Sequence, residues 1–292
     1  MNQTNLPTQG ELQRTFIAML FAFAVSVVAQ QIAELLIVVT SNWTISLPSG
    51  LTQFDAKTVW GLLSVATHCF LALLMLCISW VMWSRSRAAG HLGELTDVFS
   101  VKFVTFLVEV LLVTLYFSLS KSAEGDFTAY SQQKTVTSFL TPSSVRPEAL
   151  QMFCIFCIFA VWDLIVDVAI SPRNPLPTGF WSRCAAFVTG ILTYCLISLL
   201  CAAGAFTLHQ VAPTNQNAFQ TVFGDIGLIA LLLFFNQGKA LEYYVRKLFP
   251  SEASRQNTAR TPTVRSNVVT GLLVVMYLLC LAASSLNVCS PK

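Results

Sequence analysis

Residues 150–171 read LQMFCIFCIFAVWDLIVDVAIS, an apolar run of 22 residues that polar side chains interrupt at Gln151, Asp163 and Asp167. An α-helix rises about 1.5 Å per residue, so about 20 residues cross the hydrocarbon core of a bilayer, which is about 30 Å thick. Lipid offers no hydrogen-bond partner to an irregular backbone. The run therefore predicts a transmembrane helix.

Six other runs of similar length and composition flank this one. The chain is 55% hydrophobic and 11% charged, whereas soluble domains contain about 25% charged residues. No proline lies inside an apolar run, which favours straight helices. We predict an all-α, polytopic transmembrane helix bundle, with residues 1–292 forming a single integral membrane domain. Its seven spans lie at about 15–40, 59–83, 98–120, 150–171, 183–208, 219–246 and 267–287.

The sixth run allows two interpretations, which differ in the number of spans. Its second half contains Asn236, Lys239 and Arg246 and is amphipathic. A helix of this kind can lie along the membrane interface with its apolar face in the lipid. A six-span protein with an interfacial sixth segment is therefore the main alternative.

Basic residues between the runs predict the orientation in the membrane, because short loops rich in Lys and Arg remain in the cytoplasm. With a cytoplasmic N-terminus, twelve of the 17 Lys and Arg residues lie on the cytoplasmic side, and the connection 209–219 carries none. We predict a multi-pass protein of the cell membrane with its N-terminus cytoplasmic and its C-terminus external.

Small residues predict how two of the spans pack. The fifth span is rich in Ala, Gly, Ser and Cys, which allow another helix to approach closely. We expect it to be central in the bundle. The seventh span is aliphatic and contains no charged residue in its interior, so it is either peripheral or an oligomer contact.

Several classes of function are disfavoured by the sequence. The net charge of +3 and the scattered basic residues do not suit nucleic-acid binding. Catalytic and nucleotide-binding motifs are absent, so an intramembrane enzyme is the least favoured class. Cys154 and Cys157 have CxxC spacing, but neither a second pair nor a nearby His completes a metal site. We expect neither a metal nor a cofactor.

Ionisable residues inside the spans are the candidates for function. Asp, Lys or Arg at the centre of a transmembrane helix costs about 2.5 to 3.5 kcal/mol, so such groups pair with one another, face the bundle interior or line a pathway. Glu109 is the strongest candidate because it lies near the middle of the third span. Each group also has a structural alternative; Asp167, for example, can pair with Arg173 or Arg183. The candidates are Glu34, His68, Glu109, Asp163, Asp167 and Asp225.

Two functions fit these features. The first is an ion or proton-coupled channel or transporter, acting on an ion or small solute through a polar pathway lined by buried carboxylates. The second is a non-catalytic membrane subunit or effector whose basic loops dock a soluble cytoplasmic partner or anionic lipid of the bilayer. If the buried ionisable groups lie together, the transporter is favoured. If each of them lies in a separate helix–helix contact, the membrane subunit is favoured. The docking candidates are Lys239, Arg246, Lys247, Arg255, Arg260 and Arg265.

Overall fold

The protein is a helical bundle, as its apolar runs predict. The computed structural model describes residues 9–45, 56–88, 100–132, 144–166, 179–214, 216–248 and 264–285, and every regular element in these ranges is a helix. The helices are α1 (Gln9–Ile45), α2 (Ala56–Ala88), α3 (Val101–Gln132), α4 (Val145–Asp163), α5 (Phe180–Tyr194), α6 (Leu196–Val211), α7 (Ala218–Leu248) and α8 (Val264–Ser285). The all-α transmembrane fold class is confirmed.

Six of these helices are long and apolar enough to cross a membrane, and α5 and α6 together supply a seventh segment if they form one span. This is the arrangement of a multi-pass integral membrane protein. The prediction of straight helices is wrong for the fifth span, because α5 and α6 meet at Cys195 with a bend of 55°. Cys195 has φ −100° and ψ −14°, and no Pro or Gly lies at the break.

The choice between six and seven spans depends on the fifth segment and not on the sixth. Helix α7 runs without a break from Ala218 to Leu248, and its apolar part, Ala218–Ala240, is long enough to span. An interfacial second half of the sixth segment is therefore not observed over 218–240. The other spans agree with the predicted runs, although α3 extends twelve residues beyond the predicted end at 120.

Contacting side chains give the relative directions of the central helices. Helices α4 and α7 are parallel: Phe156 packs against Phe235, with ring centroids 5.1 Å apart, and further along both helices Asp163 contacts Lys239. Helix α6 is antiparallel to α4, because its start contacts the end of α4 and its end contacts the start of α4. The contacts that define this are Ser198 with Asp163 and His209 with Arg146.

The predicted position of the fifth span is confirmed for one half only. Helix α6 is central, and its small residues Ser198, Cys201, Ala202 and Ala205 are buried. Helix α5 instead exposes apolar side chains such as Trp181. Helix α8 packs mainly on α7 and exposes most of its aliphatic residues, which confirms that it is peripheral. An oligomer contact there and the cytoplasmic N-terminus stay predictions.

Candidate functional site

The buried ionisable side chains of α4 and α7 form two groups at different depths along these parallel helices. Glu148 and Asp163 lie 15 residues apart on α4, and Asp225 and Lys239 lie 14 residues apart on α7, which corresponds to about 21–23 Å along the helix axis at about 1.5 Å per residue. The His68 cluster consists of Thr67, His68, Ser122, Glu148 and Asp225. The Lys239 cluster consists of Asp163, the Tyr194 carbonyl, Ser198 and Lys239.

The His68 cluster contains an imidazole and a carboxylate on different helices. His68 of α2 and Glu148 of α4 are 1% and 2% exposed, and His68 Nδ1 lies 3.6 Å from Glu148 Oε1. Ser122 of α3 donates a hydrogen bond to the same carboxylate oxygen at 3.5 Å. Glu148 lies in the first turn of α4, where the positive end of the helix dipole stabilises a carboxylate.

Glu148 is not among the residues predicted from the sequence, because the predicted span begins two residues after it. Helix α4 begins earlier, at Val145, and is held in place by its neighbours. Ser144 caps it by accepting a hydrogen bond from the Arg146 N–H, and the Val145 N–H donates to Gln216 Oε1 at 2.7 Å. Serine shortly before an acidic residue is a helix-start signal that could have extended the prediction.

Asp225 of α7 joins the same cluster through α2. The Thr67 hydroxyl donates a hydrogen bond to Asp225 Oδ2 at 2.9 Å, and Thr67 directly precedes His68. Gly224 permits this arrangement, because a Cβ at Gly224 would lie only 2.8 Å from the Val145 side chain of α4. Asp225 is therefore linked to α2 at the residue that directly precedes His68.

The Lys239 cluster joins four helices. Lys239 of α7 donates hydrogen bonds to Asp163 Oδ2 of α4 at 2.6 Å and to the Tyr194 carbonyl of α5 at 2.7 Å. Ser198 of α6 donates to the same Asp163 oxygen at 2.8 Å. The Lys239 side chain is only 10% exposed. Its prediction as a surface docking residue is therefore wrong, because its ammonium is the counter-ion of a buried carboxylate.

The backbone is irregular on two sides of the Lys239 cluster. Helix α4 passes into a π-helical turn at 164–166, directly after Asp163, and α5 ends at Tyr194. A side chain that inserts into the hydrogen-bond ladder of a helix is a known cause of a sharp kink. The contact of Lys239 with the Tyr194 carbonyl thus gives a physical reason for the break at Cys195. Local π-helical turns are frequent at functional sites.

An apolar layer separates the two clusters along α4 and α7. The Phe235 ring of α7 contacts the rings of Phe156 and Phe159 of α4, with centroids 5.1 and 5.0 Å away. Met152, Ile155, Leu228 and Leu232 are also fully buried in this part of the bundle. Each cluster can therefore bind a proton or a cation at its own end, while the apolar layer lies between them.

The remaining predicted residues have different positions. Glu34 is half-buried and accepts a hydrogen bond from Gln30 of its own helix, and it is not part of the His68 cluster. Glu109 is buried on α3. Counting about 1.5 Å per residue from Ser122 puts Glu109 at roughly the depth of the Lys239 cluster. The candidates whose side chains lie outside the described residues are Asp167, Arg246, Lys247, Arg255, Arg260 and Arg265.

Two further observations bear on what the clusters are. Within the ranges that the structure describes, no three His, Cys, Asp or Glu side chains lie close enough together to share a metal ion. Comparison with protein-family models, with curated proteins and with solved structures finds no match to this chain. The function is therefore inferred from the geometry of the bundle.

Proposed function

We propose that this chain is a proton-coupled transporter of the cell membrane, and not an enzyme, with a polar route that follows the interface of α4 and α7. One observation carries the proposal: the same two helices hold two buried charged clusters at different depths, with an apolar layer between them. Buried charges are costly in a membrane and are concentrated on ion and substrate pathways.

The arrangement suits alternating access to the two sides of the membrane. Each cluster can be hydrated from its own side, while the layer around Phe156, Leu232 and Phe235 blocks a continuous column of water. Apolar constrictions of this kind gate pathways by excluding water. The break at Cys195 adds support, because interrupted helices commonly form the sites of secondary transporters.

The His68 cluster supports the proton as the coupling ion. Imidazole exchanges a proton near neutral pH, and a carboxylate within reach can accept that proton. His68 Nδ1 and Glu148 Oε1, 3.6 Å apart, can share one proton after a small side-chain movement. Asp225, bonded to the neighbouring Thr67, provides a second carboxylate for the proton on the same interface.

The second candidate function is a membrane subunit that docks a soluble partner or anionic lipid. It is favoured by one observation, which is that the polar contacts of both clusters join different helices. Such contacts stabilise a helix bundle whether or not anything is transported. In that case the basic segment 246–265 is the docking surface.

Flux measurements on reconstituted protein test the proposal. A coupled transporter still passes protons slowly when its solute is absent, so proteoliposomes that enclose a pH-sensitive dye should acidify faster than protein-free vesicles when a membrane potential, negative inside, is imposed across them. We expect Glu148→Gln to reduce this proton flux at least about tenfold, the usual effect of losing a proton-transfer group. Glu34→Gln is the matched control, since Glu34 is half-buried, bonds to Gln30 of its own helix and lies outside the His68 cluster.

Two results would overturn the transporter proposal. One is proton flux through wild-type vesicles no faster than through vesicles without protein. The other is an undiminished proton flux through the Glu148→Gln variant, when this variant has the same unfolding temperature as the wild-type protein. Either result favours the docking subunit as the function. That function would be supported if neutralising the basic residues of segment 246–265 abolished binding to a soluble partner or to anionic vesicles.

A further inference from the structure

The Lys239 ammonium lies among oxygen atoms from three helices. Its two described bonds go to a carboxylate oxygen of Asp163 and to the carbonyl oxygen of Tyr194, at 2.6 and 2.7 Å. Ser198 Oγ donates a hydrogen bond to the same Asp163 oxygen at 2.8 Å, so the hydroxyl and the ammonium share one acceptor. The Phe235 ring centroid is 5.8 Å from Nζ, within the range of a cation–π contact.

This set of atoms is one that binds a free monovalent cation. A carboxylate, a backbone carbonyl at the end of a helix and a hydroxyl are all hard oxygen donors. Tyr194 is the last residue of α5, and the C-terminus of a helix carries a partial negative charge. In membrane proteins, the C-terminal ends of interrupted helices coordinate coupling cations.

We propose that the Lys239 cluster is a binding site for a monovalent cation that the chain fills with its own ammonium group. Lys239 then acts as a tethered cation. One consequence rests on the proposed transport function. Because Lys239 already balances the charge of Asp163, transport does not need a free cation such as Na⁺ at this cluster.

The surrounding backbone is shaped around the ammonium. Helix α5 ends at Tyr194, whose carbonyl oxygen accepts the hydrogen bond from Lys239 Nζ. Helix α4 passes into the π-helical turn 164–166 directly after Asp163. Gly238, next to Lys239, lets α7 approach the start of α6, since a Cβ there would lie 2.6 Å from the Ile197 side chain. Four helices therefore adapt to a single cation, which an incidental ion pair does not require.

Rescue of a truncated side chain tests this site without any transport assay. Lys239→Ala removes the equivalent of n-propylammonium and leaves Asp163 without its buried counter-ion. We expect the unfolding midpoint of the purified protein in detergent to fall by about 5–10 °C. Added n-propylammonium should restore the midpoint progressively as its concentration rises, and the response to Na⁺ tells whether an inorganic cation also fits.

Four controls test whether the charge of propylammonium is responsible for the rescue. Propan-1-ol has the shape of n-propylammonium without its charge, and choline has the charge but is too large, so neither should restore the variant. The double variant Asp163→Asn, Lys239→Ala contains no buried carboxylate at this place and should not respond to propylammonium. Wild-type protein should not respond either, because Lys239 fills its site.

Every outcome of the experiment decides the proposal. Rescue by propylammonium, or by Na⁺, of Lys239→Ala alone supports a cation site. No rescue, or equal stabilisation of the double variant, overturns it. If Lys239→Ala protein can be recovered only from cells or buffers supplied with propylammonium, the proposal is supported. If it cannot be recovered under either condition while the double variant folds, the proposal is wrong. None of these results depends on proton flux.

Discussion

Asp163 is a single residue that connects α4 to two neighbouring helices. One oxygen of its carboxylate accepts hydrogen bonds from Ser198 of α6 and Lys239 of α7. A hydrogen bond to a buried charge contributes about 1.5–3 kcal/mol, more than a bond between neutral groups, because the charge has no water to replace a lost partner. The stability of this region therefore depends on individual side chains.

Removal of the Ser198 hydroxyl should destabilise the folded protein. We expect Ser198→Ala to lower the free energy of unfolding by about 1–3 kcal/mol, because Asp163 loses one of its hydrogen bonds. Thr207→Ala is the control on the same helix, since the exposed Thr207 hydroxyl bonds only to the Ala203 carbonyl one turn earlier. Urea or guanidinium unfolding in mixed micelles measures both changes. Equal effects of the two variants would contradict the assigned role of Ser198.

A side chain at Gly224 should separate α7 from α4. In Gly224→Ala the new Cβ would lie 2.8–2.9 Å from three atoms of Val145, which is fully buried. Overpacking of this kind costs about 1–3 kcal/mol. The additional change Val145→Ala should recover most of the loss, since it removes the atoms that clash. Unfolding measurements on the single and double variants check this.

Gly271 is the matched control for that substitution. Apart from its chain neighbours and its own helix backbone, no atom of the residues that the structure describes lies within 4 Å of a Cβ built there. Gly271→Ala should leave the stability unchanged or increase it by up to about 1 kcal/mol, because alanine favours the helix more than glycine does. A similar loss at both glycines would show that α7 and α4 do not approach each other at Gly224 as described.

At the scale of the helix, α5 and α6 form the least regular segment of the bundle. The parallel direction of α4 and α7 requires the chain between them to return once across the bundle. The pair α5–α6 does this in two pieces that differ in direction by 55°. The pair is therefore better described as one broken span than as a re-entrant loop.

Labelling from the two sides of the membrane tests this description. Single cysteines replacing the exposed Ser182 of α5 and Gln210 of α6 should react with a membrane-impermeant thiol reagent from opposite sides. All nine native cysteines, including the exposed Cys77 and Cys184 and Cys289 of the predicted external tail, are first replaced by alanine to remove the background. Reaction of both positions from the same side would mean that α5 and α6 form a re-entrant loop, and that the bundle has six spans.

Sequence patterns predicted the helices well because long apolar runs in lipid have one regular solution. The same patterns singled out His68, Asp163 and Asp225, since a charged residue inside such a run is rare. The break at Cys195 and the inward direction of Lys239 were not predicted. Both depend on a contact between α5 and α7, more than 40 residues apart in the chain, and periodicity within one segment does not contain that information.

At the scale of the whole molecule, the basic residues still predict the orientation after one correction. Lys239 is buried and does not count as a loop residue, but eleven basic residues against five still favour a cytoplasmic N-terminus. Cysteines introduced at Ser86 and Thr258 should therefore both react from the cytoplasmic side, and one at Gln210 from the outside. Labelling of Ser86 and Thr258 from opposite sides would exclude the predicted arrangement of seven spans.

The apolar layer between the two clusters should control leakage through the bundle. Leu232 is fully buried on α7 between Asp225 and Lys239, and Leu232→Asn places a hydrated group of similar size there. Because an apolar constriction excludes water, we expect the uncoupled proton leak of proteoliposomes to increase several-fold. Leu199→Asn is the control, since Leu199 is 45% exposed on the outer side of α6 and should leave the leak unchanged. If both variants fold and leak equally, the layer around Phe235 is not the barrier between the clusters.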